Sequence, residues 1–129
     1  MNKRRGSTLV ESALVTTAFL FLLVGIMDFG RLGFAYNSVT YAAHRAARFA
    51  AINGSGSGHP ASISDIQANA QGNVVALSGS LATSVTWTPD NHPGSSVQVL
   101  VTYSFRPLLI PISASTLTLK STSAQIITQ

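Results

Sequence analysis

From Ser12 to Met27 the chain reads SALVTTAFLFLLVGIM, sixteen residues without a charged side chain. As a helix this run rises about 24 Å of the roughly 30 Å hydrocarbon core of a bilayer. Ser7 to Val10 bring it to spanning length, with Glu11 inside. Lys3, Arg4 and Arg5 stand just before it, and the bias of basic residues toward the cytoplasm predicts an N-terminus held there, with everything after Met27 exported. A secretory signal peptide begins in the same way. Here, however, the run ends in GIMDFGRLG, which offers no small-x-small cleavage site, and the helical pattern continues straight through.

That continuation is amphipathic. Phe29, Leu32, Tyr36, Val39, Ala43, Ala46, Ala47 and Ala50 recur at helical spacing on one face, while Arg31, Asn37, Tyr41, His44, Arg45 and Arg48 take the other. Phe34 and Phe49 fall among the polar residues, either as a second apolar contact or as scattered exposure. One helix is therefore expected from about Ser7 to Ile52, lipid-compatible in residues 7–28 and amphipathic in residues 29–52. NGSGSG at Asn53–Gly58 ends it and reads as part of a flexible linker over residues 53–61. A phosphate-cradling loop is excluded there, because no strand precedes the glycines and no lysine follows.

Residues 62–129 read as a small exported α+β head. Ser62 and Asp65 form a capping box, and Ile63, Ile66, Ala70, Val74 and Leu77 predict a short amphipathic helix to about Leu77. The period then changes to two. SVTWT, SVQVLVTYSF and TLTLKSTSAQII predict three antiparallel strands, with Val97, Val99, Val101, Tyr103 and Phe105 on one face and Gln98, Thr102, Ser104 and Arg106 on the other. PDNHPG fits the hairpin loop between the first two strands, and RPLLIPIS a longer connection. A sheet this small needs its apolar face covered, and the amphipathic half of the long helix is the expected cover.

Composition narrows the function classes. The chain has 129 residues, 46% of them hydrophobic and 9% charged, enough for one small domain and one anchor. Its net charge of +4 resides largely in Lys3, Arg4 and Arg5; from residue 7 onward five basic residues face four acidic ones. Arg31, Arg45, Arg48, Arg106 and Lys120 are scattered, so no nucleic-acid surface is expected. With no cysteine there is neither disulfide nor thiolate metal site. His44, His59 and His92 lack ligand spacing, so no metal or other cofactor is expected. Asp65 and Asp90 are too isolated to act as a carboxylate pair, and no nucleophile elbow is present, which argues against an enzyme or a small-molecule substrate. Trp87 reads as a core or interface residue.

The combination of RRGSTLVESALV, GIMDFGRLGFAYNSVTYAAHRAARFAA and VQVLVTYSFRPLLIPI resembles the TadE-type pseudopilins, minor-pilin-like components of tight adherence (Tad) pili within the type IV pilin superfamily. The pairing of DFGR just past the apolar run with AAHRAAR fourteen residues on carries most of the likeness. The resemblance implies that a prepilin peptidase cleaves between Gly6 and Ser7, removing residues 1–6 as a cytoplasmic leader. Ser7 then becomes the first residue and Glu11 the fifth, where type IV pilins carry their glutamate. Tad major pilins usually have tyrosine after that glutamate; Ser12 stands here, which points to the pseudopilin class. The implied partners are the peptidase, other pilins and the inner-membrane assembly platform. The implied location is the cytoplasmic membrane, single-pass, with an extracellular pilus after assembly.

The resemblance also suggests why an acid stands at the edge of the apolar run. A carboxylate in the hydrocarbon costs roughly 2.5–3.5 kcal/mol at full depth and needs a partner. The new α-amine of Ser7, in the same or a neighbouring subunit, supplies one once helices pack, and Gly25, Gly30 and Gly33 allow close approach. The plainer reading is that Glu11 only complements the positive end of the helix dipole. Asp28 and Arg31, at i and i+3, read as an interfacial ion pair or as a docking contact for a partner pilin. A membrane-anchored periplasmic binding or adhesion module whose first six residues stay in place remains the competing assignment, followed by an anchored hydrolase.

Overall fold

A computed structural model describes residues 3–72, 74, 77, 79–108 and 116–129. Helix α1 runs from Lys3 to Ile52, followed by α2 (Ile63–Gly72) and strands β1 (Ala82–Thr88), β2 (Ser96–Phe105) and β3 (Leu117–Ile126). The architecture is α+β: one long helix, one short helix and a three-stranded antiparallel meander in the order β1-β2-β3.

Helix α1 is about 75 Å long at the ordinary rise per residue. Its continuity follows from composition, since the first proline is Pro60 and the isolated glycines sit among strong helix formers. Asn53 ends it: its backbone N–H and its side-chain amide both donate to the carbonyl of Phe49, at 3.1 and 2.9 Å. The expected capping box starts α2, with the Ser62 N–H donating to Asp65 Oδ2 at 3.0 Å and the Asp65 N–H to Ser62 Oγ at 3.2 Å. Helix α2 stops at Gly72 rather than near Leu77. The pair Gly72-Asn73 is a strong stop signal and outweighs the apolar spacing that continues to Val74 and Leu77, both of which still pack against the core.

The strands match expectation closely. Val97, Val99, Val101, Tyr103 and Phe105 are all buried on one face of β2. Val85 lies opposite Val99 and Trp87 opposite Val97, so the half-buried Thr83, Val85 and Trp87 share that face. The hairpin connecting β1 and β2 falls at residues 89–95, as PDNHPG predicted. Most of the RPLLIPIS connection, residues 109–113, lies outside the described residues.

The core lies between this face and the second half of α1, with α2 wedged against α1 and β1. Two residues assigned to the covering face of α1 are misplaced by periodicity alone: Phe29 is 78% and Tyr36 54% exposed. The buried stripe is rotated toward Ala35, Val39, Ala42, Ala43, Ala46, Ala47, Ala50 and Ala51. Between Ala35 and Ala51 the buried side chains of α1 are alanines and one valine, while the larger buried side chains, Tyr103, Phe105 and Leu119, come from the sheet, and Leu32 and Phe49 of α1 pack against the core only in part.

Three contacts fix the register of helix against sheet. The amide of Thr128 donates to the Ala51 carbonyl at 3.0 Å, Ser123 Oγ meets His44 Nδ1 at 3.0 Å, and the amide of Leu108 donates to Asp28 Oδ2 at 2.7 Å. Strand β2 thus descends toward the apolar half of α1, and β3 climbs away from it. The glycine-serine segment read as a flexible linker is fastened at both ends, with Ser55 N–H donating to the Asn91 carbonyl at 3.0 Å and Ala61 N–H to the Asn53 carbonyl at 2.9 Å. Gly54 is packed so tightly on Gln129 and Ile127 that a β-carbon there would collide with both.

Candidate functional site

From Gly6 to Met27 α1 touches almost nothing else in the chain. Leu9, Leu14, Phe19, Leu22 and Ile26 are exposed, and the helix is long and apolar enough to cross a membrane. This half carries Gly6, Ser7 and Glu11, all of them exposed. Ser7 and Glu11 are one turn apart on the same side of the helix. Among the described residues no ion pair forms to Glu11. The Gly6–Ser7 peptide is helical, and the glycine weakens the helix there by about 1 kcal/mol relative to alanine. No neighbouring atom approaches the place of a β-carbon at Gly6.

Asp28 is where the free half meets the head. It is only 8% exposed, although one residue earlier Met27 is 60% exposed. Arg31 Nη1 donates to Asp28 Oδ1 at 3.0 Å, the pair expected from the spacing. The second carboxylate oxygen takes the Leu108 amide, a contact spanning 80 residues that no local pattern signals. The Arg31 guanidinium lies 5.4 Å from the centre of the Phe105 ring, a cation–π contact at the end of β2. Asp28 and Arg31 therefore latch the lower end of the sheet to the helix. Beside them a groove of about 230 Å³ is lined by Gly30, Phe34, Ala35, Leu77, Tyr103 and Phe105.

At the opposite end, Asp90 accepts from Ser95 Oγ at 2.6 Å and from the His92 amide at 3.1 Å, and these bonds hold its carboxyl below the usual range. His92 Nδ1 reaches Ser55 Oγ at 3.0 Å, which ties the hairpin to the glycine-serine segment. Asp65 is lowered likewise by the Ser62 hydroxyl and amide of its capping box. Each carboxylate organises a loop or a helix start, and the two lie in different parts of the head. Among the described residues no cluster of His, Asp and Glu is arranged to hold a metal ion.

No curated protein and no solved structure matches the chain. Residues 6–48 match the model of the family described as TadE-like protein. The match begins at the glycine before Ser7, covers the exposed apolar half, and ends on the alanine face that packs on the sheet. Over residues 6–48 the long helix is thus similar to the TadE-like family, and the match does not extend to the head beyond it.

Proposed function

We propose that the protein is a pseudopilin or minor pilin of a type IV-like (Tad) pilus. It is inserted with its N-terminus in the cytoplasm and its head exported, a prepilin peptidase cuts between Gly6 and Ser7, and the bare apolar helix then leaves the bilayer to pack among other pilins at the assembly platform. The observation that carries this reading is the TadE-like match on a helix whose apolar first half is unburied while its second half builds the head. A helix so divided can pass from lipid to a bundle of neighbouring helices without disturbing the fold it supports.

Glu11 is the residue on which assembly turns. In lipid its charge is a cost; in a packed bundle it neutralises the Ser7 amine, which is cationic below a pKa of about 8. A Glu11→Gln protein should insert and be cleaved normally but be depleted from sheared filaments or from complexes with other pilins. An unpaired buried amine costs on the order of 3–5 kcal/mol. The measurement is the mass of the mature N-terminus together with the split between membrane and filament fractions. Equal filament recovery in wild type and variant, with Ser7 first in both, reduces Glu11 to a helix-end carboxylate. A mature mass that retains residues 1–6 in the wild type sinks the pilin reading and favours an anchored binding module.

A further inference from the structure

Phe29 is 78%, Leu108 58% and Leu117 50% exposed, and all three sit at the end of the head nearest the apolar half of α1. Their levels are fixed independently. Phe29 is two residues past Met27, Leu108 is held by its amide to Asp28, and Leu117 is paired across the sheet with Phe105. Two cations share this end: Arg106, exposed just after β2, and Arg31, whose side chain is 40% exposed despite its ion pair. Asp28 is the acid there among the described residues, and its carboxylate already receives Arg31 and the Leu108 amide, so the rim is net positive. The opposite end also exposes apolar side chains, Ile126 at 66% and Ile52 at 46%, but there Asp90, Asn91, His92 and Ser55 are bonded to one another and the apolar half of α1 is remote.

If α1 spans a bilayer from Ser7 to Met27, about 30 Å, its exit falls at this same level. We propose that the base of the head is a second membrane contact, in which Phe29, Leu108 and Leu117 seat in the interfacial layer and Arg31 and Arg106 meet phospholipid phosphates. An aromatic and two leucines beside basic side chains is the composition that partitions to this layer, and the surface is continuous with the spanning helix. The contact stands the head upright on the membrane while the subunit waits, and must be given up on extraction. It rests on the spanning assignment above.

Because the chain has no cysteine, single reporters can be placed cleanly. Leu108→Cys, Leu117→Cys, Gln125→Cys at the far end and Phe19→Cys within the span are labelled with an environment-sensitive dye in the full chain. Each is reconstituted into vesicles of phosphatidylcholine with or without phosphatidylglycerol. Labels at positions 108 and 117 should be quenched several-fold more than the label at 125 by lipids carrying a shallow nitroxide, and less by aqueous iodide. Adding Arg106→Gln should lower the lipid quenching at 108 in the anionic vesicles. Iodide access at 108 and 117 equal to that at 125, with position 19 lipid-quenched, overturns the proposal while leaving the span intact. Protection from both quenchers overturns it in favour of a second protein copy on this surface. Absence of lipid quenching at 19 removes the spanning assignment and this proposal with it.

Discussion

Along its first half α1 leaves Leu14, Phe19, Leu22 and Ile26 at 57–68% exposure, whereas from Ala35 to Ala51 its inner face is exposed by 5% or less. The backbone is continuous and the hydrophobicity is high in both, yet the side chains differ in size. Large, branched and aromatic residues fill the half whose surroundings lie outside the chain, where a fluid or a neighbouring helix adapts to their shape. Alanines fill the half that meets a fixed sheet, where close approach matters more than volume. Hydrophobicity alone therefore does not say which part of a helix belongs to a core.

The comparison breaks most visibly if residues 28–52 are removed. Residues 54–129 lose the cover over Val97, Val99 and Val101 and should not unfold cooperatively, while residues 29–129 should melt in one transition, because three strands and a short helix are near the limit of independent stability. Sharp two-state melting of the shorter fragment would overturn the division. A smaller effect separates the two halves by volume. Ala43→Leu should destabilise the head by about 1–3 kcal/mol through overpacking, whereas Leu22→Ala in the exposed half should leave the thermal unfolding of the detergent-solubilised protein unchanged. Equal shifts from the two would mean that the first half is also packed.

The boundary between the halves can be probed through Asp28. Asp28→Asn retains an acceptor for the Leu108 amide but loses the charge opposite Arg31, a loss of about 1 kcal/mol by the usual difference between charged and neutral hydrogen bonds. Faster hydrogen exchange confined to the Leu108 end of β2 is the expected signature, and unaltered exchange there would deny the latch. The smallest effect lies at the far end, in Asp90. Its carboxyl is held below the ordinary value near 3.8 by the Ser95 hydroxyl and the His92 amide. The stabilisation is therefore present above that value and lost as pH falls through the lower folded one. The unfolding midpoint should decline in that acid window by slightly more in wild type than in Asp90→Asn; identical acid profiles would remove Asp90 from the account.

Local pattern alone determined a large part of this molecule. A helix through Ile52 follows from the lack of proline before Pro60 and from sustained helical spacing, the Ser62–Asp65 cap from residue type and offset, and β2 from strict alternation, because each depends on neighbours within a few residues. The Asp28–Arg31 pair was legible for the same reason. Periodicity placed Phe29 and Tyr36 on the covering face because it registers angle and not the distance to the partner surface. The bond from Leu108 to Asp28, the meeting of Ser123 with His44, and the fastening of Ser55 to the hairpin join residues 36 to 80 apart. No local spacing encodes such contacts. They exist because β2 runs down the helix and β3 back up it, and only the packed sheet brings those groups within bonding distance.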